Sequence, residues 1–294
     1  MSRFGLSAAL ATPFERSGAL DVPRLVAHAQ WCLANGCDSI TLFGTTGEGA
    51  SIGLSARHRA IAAAIDAGIA PRTQLLCAVA ASSIEDVAAQ AALALDAGCR
   101  GVLLTPPFYF RGVDDDALFA WFGQLFDRLG ARARDMFAYH LPDVTGMPLS
   151  VSLIGRLKTA FPGTIVGVKD SSADWANTAA LLDEHSDLTI LVGDERDLAK
   201  AVRLGGSGTI CGLANVAPEI LTRAAHDGHD DPRIRPVVEA IGRFPVLPAV
   251  KALIAHQKRD PAWRTMRPPL ADLDAGEIPR LVSAFESALA LVPA

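Results

Sequence analysis

A chain of 294 residues, half of them hydrophobic and a fifth charged, has enough apolar material for one large core or two smaller ones. Its formal net charge of -5 is made of interspersed acids and bases, which leaves no basic patch for nucleic acid or for an anionic membrane surface. No run reaches the roughly 18 uninterrupted apolar residues of a membrane span, and Phe4 to Leu10, broken by Gly5 and Ser7, makes a poor secretory signal and a fair first strand.

Taken in order, the chain repeats one pattern: a short apolar strand, a polar or Gly-rich loop, an amphipathic helix. The first strand is expected near Gly5 to Thr12 and its helix from Val22 to Ala34, with Gly36 as the stop. Asp38 to Gly44 is the second strand, and Ser55 is placed as the N-cap of a helix running to Ala67. Gln74 to Ala80 is the third, followed by a helix capped by Ser83 and stopped at Gly98. Arg100 to Thr105 and Asp135 to Tyr139 are the fourth and fifth, with helices at 115–129 and 151–161. Thr164 to Lys169 is the sixth, and Ser171-Ser172-Ala173-Asp174 resembles a capping box opening the next helix. Leu188 to Gly193 and Gly208 to Cys211 complete eight strands, with helices at 196–204 and 218–225.

Strands alternating with helices give βα units and a parallel sheet, and eight units close into a (β/α)8 barrel. An open doubly wound sheet is disfavoured because neither GxGxxG nor a P-loop follows an early strand. The polar stretch 226–236 then divides the chain into a barrel over residues 1–228 and a C-terminal helical region over 229–294, with helices expected at 237–257 and 278–291. Five scattered cysteines, Cys32, Cys37, Cys77, Cys99 and Cys211, form no CxxC or His/Cys metal spacing. Cys77, Cys99 and Cys211, in strand-like runs, read as small buried hydrophobes, and the set fits a reducing, cytoplasmic compartment with no metal expected.

Chemistry in such a barrel sits at the C-terminal ends of the strands. Only five of the 27 basic residues are lysines, and one, Lys169, follows directly on Ile165, Val166 and Val168. Burial at a strand end strips water from an ammonium and favours the neutral amine, a nucleophile suited to carbonyl carbons. The other reading is a lysine that snorkels to water or pairs with an acid. The second strand ends in Gly44-Thr45-Thr46-Gly47-Glu48, a tight turn able to aim hydroxyls and N–H groups at a small carboxylate, or one whose threonines satisfy their own backbone. The fourth ends in Thr105-Pro106-Pro107-Phe108-Tyr109-Phe110, a packed aromatic loop or a subunit contact. Tyr139, one of two tyrosines, ends the fifth strand and can move a proton, whereas His140 has the opposite pleat and reads as structural. Gly193-Asp194-Glu195 ends the seventh, placed to bind substrate hydroxyls or to serve the next helix.

On Gly44-Thr45-Thr46-Gly47-Glu48, Tyr139 with Pro142 and Gly146, Gly167-Val168-Lys169-Asp170-Ser171, and Gly193-Asp194-Glu195, the chain resembles the dihydrodipicolinate synthase / N-acetylneuraminate lyase superfamily of pyruvate-dependent class I aldolases. The resemblance covers almost the whole chain. It implies a TIM barrel with a C-terminal helical extension, a homotetramer built as a dimer of dimers, pyruvate and a small aldehyde as substrates, and no cofactor beyond a Schiff base on Lys169. It further implies that Thr45 and Thr46 hold the pyruvate carboxylate, that Tyr139 moves the proton, and that Ile210 walls the imine.

Three departures bear on the second substrate. The synthase branch has an inter-subunit tyrosine where this chain has Phe108, with Tyr109 beside it, and an arginine for the aldehyde's carboxylate where this chain has Val144. Leu54 and Arg57 stand where the branch has histidines of a lysine-feedback site. The expectation is therefore an aldolase or lyase of a 2-keto-3-deoxy acid, with Asp194 and Glu195 facing hydroxyls. The alternatives are 4-hydroxy-tetrahydrodipicolinate synthase, a 2-keto-3-deoxy acid dehydratase, and a non-catalytic keto-acid-binding barrel.

Overall fold

The structure is a computed structural model that describes residues 3–291. Eight parallel strands close into a barrel: β1 (Gly5–Ala9), β2 (Ser39–Leu42), β3 (Leu75–Val79), β4 (Gly101–Leu104), β5 (Met136–His140), β6 (Ile165–Asp170), β7 (Thr189–Val192) and β8 (Gly208–Cys211), with β8 pairing back to β1. Among the described residues one principal helix follows each strand, besides short turns of helix at Pro71–Gln74 and Pro142–Thr145: α1 (Val22–Ala34), α2 (Leu54–Asp66), α3 (Ile84–Asp96), α4 (Asp115–Leu129), α5 (Val151–Ala160), α6 (Trp175–Glu184), α7 (Leu198–Arg203) and α8 (Thr222–Asp227). Three more follow: α9 (Ile234–Gly242), α10 (Val246–Lys258) and α11 (Ile278–Leu289). Among the described residues no helix is long and apolar enough to cross a membrane.

The near-continuous apolar character of the strands has a direct cause: both faces are covered. One face packs Leu6, Ile40, Val102 and Val168 against the helices; the other packs Leu76, Leu103, Leu191 and Ile210 inside the barrel, in a separate cluster. The interior is tight. A Cβ on Gly101 or Gly167 would lie 2.8 or 2.6 Å from the ring of Phe137, so these two glycines make the slot that this side chain fills. All five cysteines are free and buried, as small hydrophobes are.

Several expected boundaries move, each for a local reason. The helix assigned to a Ser55 cap starts two residues earlier: Gly53 is the N-cap, with no side-chain bond. The stretch from Ser171 does not form a capping box. Asp174 caps α6 by accepting from the Ala176 N–H, and the Ser172 hydroxyl accepts from the Asp174 N–H. The single helix expected over 237–257 is two, because Pro245 lacks the N–H that a continuous helix needs and sits as the N-cap of α10. α9 also begins inside the stretch read as a polar hinge. Ser83 does cap α3, accepting from the Asp86 N–H at 3.1 Å.

One contact of the C-terminal region with the barrel is made by His28 of α1. Its ring stacks on Trp31 and meets Trp263 edge-on at 4.8 Å between centroids. Asn215 donates to the Ala9 and Gly212 carbonyls, so its Oδ1 accepts, both from the Ala11 N–H and from His28 Nε2 at 3.1 Å. That network makes Nε2 the protonated nitrogen and leaves Nδ1 bare and without a partner. Burial, with Lys258 as a second cause, lowers the His28 pKa to about 3 against the bond from Asn215. The folded value lies below the unfolded one of about 6.5, so between the two the unfolded chain binds more protons and stability falls with falling pH. His28 alone contributes a slope of up to about 1.4 kcal/mol per pH unit. Chemical denaturation of wild-type and His28→Gln proteins from pH 7 to pH 4 should show this slope in the wild type and its loss in the variant.

Candidate active site

The site is set by the register of two neighbouring strands. In the β5–β6 pairing Tyr139 stands opposite Lys169, and His140 opposite Asp170. Period-two alternation then sends Tyr139 and Lys169 into the barrel and the other pair outward. Lys169 Nζ donates to the Tyr139 hydroxyl at 3.1 Å and lies 4.3 Å from the centre of the ring. Both side chains are buried, at 5% and 3% exposure. The outward pair is structural: His140 Nδ1 accepts from the Leu149 N–H at 2.9 Å, and Asp170 accepts from Ser172 N, Asn177 Nδ2 and Thr178 Oγ1, which pins the end of β6 to α6.

The loop after β2 supplies the third member. Thr45 Oγ1 is 3.3 Å from the Tyr139 hydroxyl, completing a Lys169–Tyr139–Thr45 chain across the mouth of the barrel. Phe43 and Glu48 bracket the loop in left-handed conformations, at φ 63° and 55°. Gly47 is required by close approach: a Cβ there would be 2.6 Å from the Leu10 carbonyl oxygen, and Thr12 Oγ1 donates to the Gly47 carbonyl at 2.7 Å. Among the described residues the N–H groups of Thr45 and Thr46 have no backbone acceptor. Both threonines line the first cavity, so the turn places two hydroxyls and two N–H groups without backbone partners at its edge, the groups a carboxylate cradle requires.

The loop is anchored from below by a residue pair that spacing alone did not reveal. Glu48 and Lys251 of α10 form an ion pair of 2.7 Å with both side chains fully buried. Glu48 also accepts from the Arg267 N–H at 2.9 Å, and Lys251 also donates to the Thr265 carbonyl. Partners 203 residues apart leave no local signal.

In the sequence Ser171 reads only as part of a motif and of the expected cap, with no role of its own. It lines the cavity beside Tyr139, and Gly193 exists in part to make room for it, since a Cβ on Gly193 would meet Ser171 Oγ at 1.9 Å. Burial raises the Tyr139 pKa, but the charge of Lys169 and hydrogen bonds from Thr45, Lys169 and Ser171 outweigh it, so the phenol is held below its ordinary value. Ile210 is fully buried on the wall of the same cavity.

Asp194 and Glu195 also lie on that wall, the first with both carboxyl oxygens bonded within the chain and the second with one. Arg196 forks both oxygens of Asp194, whose Oδ1 also accepts from the Arg196 N–H. Glu195 Oε1 accepts from the Leu213 N–H at 3.1 Å, and burial raises the pKa of its carboxyl.

Two cavities meet at Tyr139 and Thr45, of about 390 and 430 Å³. Lys169 opens on the first. Phe108 lines the second, whereas Tyr109 is 78% exposed and faces neither. Val144 lines both. Arg57 is buried and donates to the Gly49, Ile52 and Ala78 carbonyls, so it ties the loop after β2 to β3 rather than facing a ligand.

Comparison with known proteins places this architecture. The model of the dihydrodipicolinate synthetase family matches residues 3–287. The crystal structure of dihydrodipicolinate synthase from Agrobacterium tumefaciens superposes with a TM-score of 0.95 at 51% identity, covering 97% of this chain and 99% of that one. A DapA-like lyase of Chloroflexus aurantiacus is 30% identical over 97% of both chains. A 4-hydroxy-tetrahydrodipicolinate synthase of Corynebacterium aurimucosum is 32% identical over 95% of this chain and 93% of its own.

Proposed function

We propose that this chain, which belongs to the dihydrodipicolinate synthetase family and is a lyase, makes or cleaves a carbon–carbon bond between pyruvate and an aldehyde through an imine on Lys169. The observation that carries the reading is the Lys169–Tyr139–Thr45 chain at the meeting point of two cavities. A lone buried lysine has many explanations. One that touches a phenol, beside a turn with unpaired N–H groups, has the parts that imine chemistry needs.

In the cleavage direction the Lys169 amine adds to the ketone carbon of a 2-keto-4-hydroxy acid, and water leaves to give the protonated imine. Thr45 and Thr46 hold the carboxylate. Tyr139 takes the proton of the 4-hydroxyl, the C3–C4 electron pair moves into the imine, and the aldehyde departs. The resulting enamine is protonated at C3, and water hydrolyses the imine to release pyruvate and the free amine. Condensation is the same path reversed. The apolar wall around Ile210 keeps water from the imine until the aldehyde has reacted. Tyr109 and Phe110, exposed at the tip of the loop after β4, suit burial against a second copy of the chain, which fits a homo-oligomer.

Borohydride reduction in the presence of pyruvate tests the mechanism. A pyruvate-derived adduct on the peptide carrying Lys169 is expected, and its absence would refute the proposal. A second reading, condensation of pyruvate with aspartate semialdehyde, is favoured by the 51% identity to a dihydrodipicolinate synthase. Val144 weighs against it, since a valine cannot pair with the semialdehyde's carboxylate. A coupled assay with the two substrates separates them.

A further inference from the structure

We infer that the aldehyde partner of this site is uncharged and apolar, an aryl or branched alkyl aldehyde, rather than a polyhydroxylated or carboxylate-bearing one. The inference rests on the aldolase reading above and adds the class of the second substrate.

The charges come first. Among the residues lining either cavity, Lys169 is the only basic one, and it is the group that the ketone consumes. A carboxylate or phosphate on the aldehyde would shed its water with no cation to receive it, a penalty that nothing on these walls offsets. Val144, which with Leu141 lines both cavities from the segment after β5, presents methyl groups where such a cation would be useful.

The hydrogen-bonding groups come second. The acids that a chain of hydroxyls would seek are Asp194 and Glu195. The first is forked by Arg196 and the second holds the Leu213 N–H. Glu48, on the wall of the second cavity, is fully engaged by Lys251 and the Arg267 N–H. A polyol would meet acids already in use, with only the second oxygen of Glu195 outside these bonds.

The walls come third. α9 and α10 lay Ile241, Val246, Leu247 and Val250 over the first cavity. Phe108 and Leu270 close the far side of the second. Lys169, Tyr139, Thr45, Thr46 and Ser171 form a polar cluster where the keto acid reacts, and of the hydroxyls lining the second cavity those of Thr105 and Thr145 are already given to the Val79 and Leu141 carbonyls. A polar floor under an apolar lip fits a substrate with a keto-acid head and a hydrophobic tail.

The test uses the intact wild-type protein and initial rates of condensation with pyruvate. Three aldehydes are compared: an uncharged one such as benzaldehyde or isobutyraldehyde, glyceraldehyde, and aspartate semialdehyde. Trapping with pyruvate and borohydride is run alongside. The uncharged aldehyde is expected to have a kcat/KM about tenfold or more above both others. Val144→Arg should narrow or reverse the gap to aspartate semialdehyde while the pyruvate adduct still forms. An adduct on Lys169 with glyceraldehyde or aspartate semialdehyde preferred by the wild type would overturn the inference and leave the aldolase reading standing. Failure to trap any adduct would remove the aldolase reading and the inference with it.

Discussion

Turnover by a Lys169→Ala protein is expected to fall to the uncatalysed background, and with it the pyruvate adduct, while Tyr139→Phe loses about 10²–10⁴-fold in kcat and is still trapped. The two variants separate roles that a single loss of activity would merge. Without the amine there is no imine, and so no sink for the electrons of the breaking bond. Without the hydroxyl the imine still forms, but nothing removes the proton of the substrate's hydroxyl. The ring remains, so the packing of Tyr139 with Leu141, Leu191 and Ile210 survives and neither change should unfold the barrel. A pH profile sharpens the contrast. The Tyr139 phenol is held below its ordinary value, since the charge of Lys169 and the bonds from Thr45, Lys169 and Ser171 outweigh burial. An alkaline limb in kcat should therefore lie below the unperturbed tyrosine value of about 10, and Tyr139→Phe should lack it. A Tyr139→Phe enzyme with near-normal kcat and an unchanged profile would show that the proton moves elsewhere.

How far these roles were visible in the amino-acid order depends on the distance between partners. The strands were legible because burial on both faces leaves an apolar run in each, as in Thr164-Ile165-Val166-Gly167-Val168. Lys169 and Tyr139 were legible as strand-end residues, but their contact follows from the β5–β6 register, with a shift between Met136 and Phe137. A local count of residues does not supply that shift. Asp194 shows the opposite case. A carboxylate at a strand end looked available to substrate, and only the side chain of Arg196, two residues on, shows it occupied. The Ser171 stretch failed for a related reason: its first serine turns into the cavity beside Tyr139, and the cap falls to Asp174. Arg57 reads in one dimension as a charged helix residue. In space it is a buried cap for three carbonyls, which a guanidinium with five donors can serve at once.

The buried pair between Glu48 and Lys251 predicts the largest effect on stability. Lys251→Met is expected to destabilise the fold by about 3–5 kcal/mol, because it leaves the Glu48 carboxylate buried without a counter-ion. The loss should reach the site as well. Glu48 closes the turn that carries Thr45 and Thr46, so loosening it should raise the KM for pyruvate more than it lowers kcat. Replacing both partners, in Glu48→Gln/Lys251→Met, should recover much of the stability, since no unpaired charge remains. The pH dependence has a definite sign. Burial lowers the Lys251 pKa against the pull of Glu48, so its folded value lies below the unfolded one. Between the two the unfolded chain binds more protons, and the contribution of Lys251 to stability rises with pH until the unfolded lysine value of about 10.4 is passed. Urea denaturation of the wild type, the single variant and the double variant, from pH 8 to pH 10, measures both effects. If Lys251→Met were as stable as the wild type, or if the double variant were no better than the single, the pair would not be what holds the C-terminal helices to the turn after β2.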